Sequence, residues 1–253
     1  MWKFSERDLL RLSEGERPSS PIQGRINQLH HIGTFSAIFS KLYLGYYWLT
    51  LRRTLPTINI KNIEPEINQL RVWPESKPFT LRHQVAFFRD SLSRVILLDR
   101  RRVEKRGRAN APIRNELNLR QRQGYTVERY LDERAREICE ELFLDPQWRS
   151  WNLSTRFPPN FERTSLVAVV IRDPFSRIVT IDAAWVSGNF AENFYYCSQI
   201  KVETRMLAAE SLIEICFEKG VQYFRTDNLL DLFIDTYNFQ EKLGYITCNI
   251  KWS

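Results

Sequence analysis

From residue 165 onward the chain alternates between short apolar runs and turn signals. SLVAVVIRD (165–173) is a continuous run rich in β-branched residues, the pattern of a strand covered on both faces. Asp173-Pro174 predicts a turn, IVTIDAAWV (178–186) a second strand, Ser187-Gly188-Asn189 another turn, and NFYYCSQI (193–200) a third strand. Residues 165–200 thus read as an antiparallel meander. In MLAAESLIEICFEKG (206–220), Met206, Ala209, Ile213, Cys216 and Phe217 recur at helical spacing, with Thr204 placed to cap the start and Gly220 to close the end. VQYFRT (221–226) reads as a short strand. A second helix follows over 229–243, with Asn228 as its N-cap and Leu232, Thr236, Phe239 and Leu243 as its stripe, and ITCNIKW (246–252) is the closing strand. Three antiparallel strands, helix, strand, helix, strand predict a mixed α/β (α+β) fold: a mostly antiparallel sheet flanked by helices, with right-handed crossovers.

Upstream the periodicity is weaker. Residues 1–33 are polar and read as an arm, and 34–54 as a helix crowded with aromatics. The proline-punctuated stretch 55–78 suggests a short strand with loops, 80–95 a helix through Val85, Phe87, Phe88, Leu92 and Val95, and 125–144 a charged helix with Tyr130, Ala135, Ile138, Cys139 and Leu142 on one face. These textures divide the chain into an N-terminal arm, residues 1–60, and a domain over 61–253. The opening MWKFSERDLL lacks the apolar centre of a signal peptide. Residues 34–53 barely reach spanning length and are broken by Ser36, Ser40, Lys41 and Gly45, so a docked helix or a peripheral membrane contact is expected rather than an integral span.

Charge changes the picture at one place. Between Asp99 and Arg122 the chain carries nine basic residues against three acidic ones, most of the net charge of +7. Such a block is either a solvated face or a site for a polyanion, and its arginine content matches phosphate oxygens. Four cysteines at separations unlike redox or metal motifs read as reduced, buried thiols, and three scattered histidines argue against a metal site. A cytoplasmic location follows as the expectation.

The late element order, ending in FQEKLGY (239–245), resembles the GNAT acyltransferase superfamily and is similar to the Fem-type aminoacyl transferases that use the same fold. Glu241, Lys242, Leu243, Gly244 and Tyr245 match the GNAT helix end, with Gln240 standing where a tyrosine is usual; Phe239 and Leu243-Gly244 match the Fem-type pattern. RNELNLRQRQGYTVERY (114–130) is also similar to Fem-like members, in which a basic helix ends in glycine before a valine-bearing strand; that reading makes Val127 a strand residue. The resemblance covers roughly 90–253 and implies an N-acyltransferase that moves an acyl group from acyl-CoA or an acyl carrier protein to an amine of a small molecule or peptide. The aromatic segment 34–51 suits a long fatty acyl donor. The alternatives are aminoacyl transfer from tRNA and a non-catalytic GNAT-like module binding RNA or protein. The donor-binding loop such enzymes keep before the first of these helices corresponds to QIKVETRMLAA (199–209), which has no glycine; Lys201, Thr204 and Arg205, with Asn228 at the next helix start, are the residues placed to hold an anionic donor. An acidic carrier protein or tRNA would meet Arg100–Arg122.

Acyl transfer to an amine needs a base and an acid. Asp182, the one carboxylate inside an apolar strand, is the leading base, with Asp227 second and Glu192 third. Tyr237 is the leading acid, one helical turn before Gln240. Tyr195 and Tyr196 point to opposite faces of their strand, so only one reaches a cleft, and Cys197 has no histidine nearby in sequence to activate it.

Overall fold

A computed structural model describes residues 55–60, 92–105, 110–145, 148, 165–228 and 234–252. The expected arm and aromatic helix (1–54), most of the 80–95 segment and the start of the 229–243 helix lie outside the described residues. The chain divides into two compact units. One holds residues up to Ile60, a second stretch ending at Val95, and Asp227 onward; the other holds Ile96–Thr226.

In the larger unit the meander forms as expected: β4 (Ser165–Arg172), β5 (Ile178–Ser187) and β6 (Phe190–Ser198) pair antiparallel. β3 (Thr126–Leu131) joins antiparallel beside β4. The charged helix expected over 125–144 is therefore split. TVERYL pairs with β4 as a strand, and the helix α3 begins only at Asp132, running to Leu144. Val127 is a strand residue, as the Fem-like reading implies. Upstream, Arg100–Val103 (α1) and Ala111–Arg122 (α2) are helical.

The helix α4 runs Lys201–Glu218, five residues earlier at its start than the periodicity suggests. Thr204 lies inside it rather than capping it, and Ile200 is the N-cap. The buried side centres on Ala208, Leu212 and Ile215 rather than on Met206, Ala209 and Phe217. Gly220 closes α4 as expected: at φ +85° it lets Val221 N–H reach Cys216 O and its own N–H reach Phe217 O. From there α4 delivers the chain to β7 (Tyr223–Asn228), whose Tyr223–Arg225 lie parallel to Phe190–Glu192 of β6. Among the described residues that pairing stops at Glu192 and Arg225, and Asn193–Ser198 of β6 continue beside β5.

In the smaller unit, β1 (Thr57–Ile60) pairs parallel with β8 (Ile246–Trp252), which pairs antiparallel with β2 (Leu92–Leu97) over Leu92–Val95. The end of the helix expected over 80–95 is thus a strand. Val95 and Ile96 are β-branched, and the partner edge of β8 satisfies the backbone that a helix would have satisfied internally. The helix α5 (Ile234–Lys242) ends at Gly244, where φ of +85° places Tyr245 N–H on Gln240 O. Among the described residues no helix is long and apolar enough to cross a membrane.

Candidate functional site

The sheet of the larger unit has two differently used faces. Asp182 of β5 stands opposite Val169 of β4 and Tyr196 of β6, so these three share one face. The same face carries Thr180 and Ser198, over which α4 lies through Thr204. The other face carries Tyr195 and Cys197. There the Cys197 thiol donates to the Trp148 carbonyl at 3.1 Å, and Tyr195 lies near Cys139 of α3.

Asp182 is only 5% exposed. Burial pushes its carboxyl up to about 7; the Asn193 amide, the Arg205 guanidinium and the Ala183 N–H pull the other way. Asn193 reaches the carboxylate because β6 carries one extra residue. Ala183 is opposite Tyr195 but Ala184 is opposite Asn193, so Phe194 is skipped in the ladder. A strand without that bulge would turn Asn193 to the opposite face.

Tyr196 is the aromatic neighbour on the Asp182 face. Its hydroxyl is buried without a well-formed hydrogen bond, and the Arg205 guanidinium lies 6.0 Å from its ring centre. Burial and Asp182 push the phenol up to about 12, with Arg205 and Ser198 opposing. Next to it, three buried hydroxyls hold one another. Thr180 bonds Ser198 at 2.7 Å and also bonds Thr204, while Ser198 accepts from Ile200 N–H at 3.2 Å. These bonds fasten the first turn of α4 to β5 and β6.

The residues expected from sequence divide as follows. Asp182, Thr204 and Arg205 converge on this face, with Lys201 the first residue of α4. The Thr204 hydroxyl is turned inward and also bonds the Ile200 carbonyl at 3.2 Å. A pyrophosphate cradled by backbone on glycines does not fit here: the connection from β6 to α4 is Gln199-Ile200 alone, and a phosphate contact would have to come from side chains such as Lys201 and Arg205. Tyr195 lies on the opposite face from Asp182, where burial raises its phenol. Glu192 is ion-paired at 3.3 Å with the buried Arg225, at the last β6–β7 rung.

Asp227 and Asn228 close β7, so the described chain has Asn228 in strand conformation. Tyr237 belongs to the smaller unit, buried, with the Arg94 guanidinium 4.4 Å from its ring centre. Gln240, in the usual tyrosine position of the resemblance, accepts from Arg94 Nε at 3.3 Å, and Arg94 also donates to Thr247 at 2.9 Å. The glutamine thus serves a buried arginine.

Of the nine basic residues of the block, Arg106 and Arg108 lie outside the described residues, and five of the others are engaged within the unit. Arg102 pairs with Glu210 at 2.6 Å, Lys105 with Glu214, Arg100 with Glu104 at 2.6 Å and Arg120 with Glu116 at 2.5 Å, while Arg114 donates to the Lys105 carbonyl. Arg129 of β3 completes the row, pairing with Glu214 at 2.7 Å and Glu218 at 3.0 Å. The sequence signal for this was Glu210, Glu214 and Glu218, spaced by four along α4. All four cysteines are buried thiols outside any disulfide. Among the described residues no group of three or more histidines, cysteines and carboxylates is placed to hold a metal ion.

No protein-family model matches the chain, and no curated protein matches it. Among solved structures it is similar to L-PGS from Bacillus licheniformis (15% identity, TM-score 0.46, 67% of this chain on 62% of that one). It is also similar to FemX (11%, 0.42, 62% on 59%) and to a tandem GNAT protein from the clavulanic acid biosynthesis pathway (14%, 0.38, 70% on 59%). The chain spans less than two thirds of the length of each of these structures. An antiparallel meander, a helix crossing to a parallel strand that leaves its partner after three residues, a second helix and a closing strand make a GNAT-like mixed, mostly antiparallel sheet flanked by helices.

Proposed function

We propose that the chain is an N-acyltransferase in which Asp182 removes the proton of the attacking amine. The observation that carries this is a carboxylate pushed to about 7 by burial, yet held by Asn193 and Arg205, on β5 beside the part of β6 that runs on beyond its pairing with β7. A carboxylate at that value is ionised often enough at neutral pH to act as a base, and basic enough to be useful. The N–H groups of a strand released from its neighbour can polarise the acyl carbonyl. Donor candidates are acyl-CoA and acyl carrier protein, with Lys201 and Arg205 meeting the phosphates and Asp227, Asn228 and Tyr237 retained as secondary candidates. A long acyl chain is the sharper form, motivated by the aromatics of residues 34–51.

Aminoacyl transfer from tRNA is the second reading. What favours it is the glycine-free link from β6 to α4 with Thr204 turned inward, a poor cradle for a pyrophosphate. Purified protein assayed with lauroyl-CoA, lauroyl carrier protein and aminoacyl-tRNA against a panel of amines separates the two. Amide formed from neither thioester but from the tRNA ester selects the second reading, and amide from none contradicts both.

A further inference from the structure

We propose that Tyr196 is the proton donor of this site, passing its Oη proton to the leaving oxygen or sulfur as the acyl carbon–heteroatom bond breaks. The inference rests on the acyl-transfer reading and goes beyond it by naming the acid. Of the tyrosines considered, Tyr196 alone shares the face of β5 and β6 that carries Asp182. Tyr195 faces α3, and Tyr237 has its ring against Arg94 in the other unit. The Tyr196 hydroxyl is buried and makes no well-formed hydrogen bond, with the Ser198 hydroxyl as a polar neighbour. Arg205 beside the ring supplies the charge that a transient phenolate needs.

The step balances. The amine nitrogen bonds to the acyl carbon, the bond from that carbon to the leaving atom breaks, and the ammonium proton goes to Asp182. The Tyr196 proton goes to the leaving group, and Asp182 then returns its proton to the phenolate across the shared face. The products are an amide and a neutral thiol or alcohol, with both side chains restored.

Two measurements on Tyr196→Phe test this. Removing a hydroxyl that makes no well-formed bond should leave folding intact. First, the Asp182 carboxyl is titrated by carbon-detected NMR in wild type and variant. The proposal expects a shifted midpoint, and an unshifted one overturns it. Second, transfer to benzylamine is compared for para-nitrophenyl laurate and ethyl laurate. A lost general acid should slow the poor leaving group on the order of a hundredfold and the good one less than about tenfold. Equal loss for both esters, or no loss, overturns the assignment. Failure of the acyl-transfer reading looks different: wild type then makes no amide from these esters, from lauroyl-CoA or from aminoacyl-tRNA.

Discussion

The Asn193 amide donates both to the Asp182 carboxylate and, at 3.0 Å, to the Ala183 carbonyl, and it can do so because Phe194 is bulged out of the β5–β6 ladder. Asn193→Ala removes a hydrogen bond to the charged form and should raise the Asp182 midpoint from about 7 by roughly one unit. Carbon-detected NMR of the side-chain carboxyls reads this, and an unchanged midpoint would show that burial alone sets the value.

Stability should depend on pH in an unusual direction. A carboxyl raised in the folded state binds its proton more tightly there than in the unfolded chain. Its contribution is therefore fully present below the unfolded value, near 4, and is lost as pH rises through about 7. Asp182→Asn should abolish this loss, leaving the variant more stable than wild type at pH 8 by up to roughly 4 kcal/mol. Urea unfolding at a series of pH values measures it; a wild type that gains stability across that window contradicts the assignment.

The Glu210 carboxylate is 1% exposed and lies between Arg102 and Lys105, at 2.6 and 3.6 Å. Glu210→Ala leaves two cations without their buried partner and should cost on the order of 3 kcal/mol, whereas Arg102→Met with Glu210→Met should recover much of it. Thermal unfolding decides. A single variant as stable as wild type would return Arg102 and Lys105 to the pool available for a polyanion.

Gln240→Ala removes an acceptor from the buried Arg94 and should lower stability by about 1–3 kcal/mol, while Gln240→Glu should keep the contact. Transfer activity per folded molecule should be unchanged in both. A fall in activity without a fall in stability would mean that Gln240 takes part in the chemistry.

The fold was legible where one pattern ran without competition. The run 165–171 could only be a covered strand, and Gly220 and Gly244 marked helix ends that need a left-handed residue. Periodicity failed at Leu92–Val95 and Thr126–Leu131, where a few apolar residues suit helix and strand equally and a partner strand decides. Asp182 stood out as a charge in an apolar strand. Its neighbour Asn193 did not, because a single-residue bulge resets the parity of β6 and no local signal in NFYY announces it, and alternation alone left open which of Tyr195 and Tyr196 shares its face. The basic block showed its charge but not its partners, which lie on a helix about a hundred residues further along the chain.

Single-turnover amide formation followed against pH, in wild type and Asp182→Asn, tests the central claim most directly. The predicted result is a wild-type rate that rises with a midpoint near 7 and a variant that folds but transfers at least about a hundredfold more slowly, with no such midpoint. A folded Asp182→Asn protein that forms amide at the wild-type rate would contradict it.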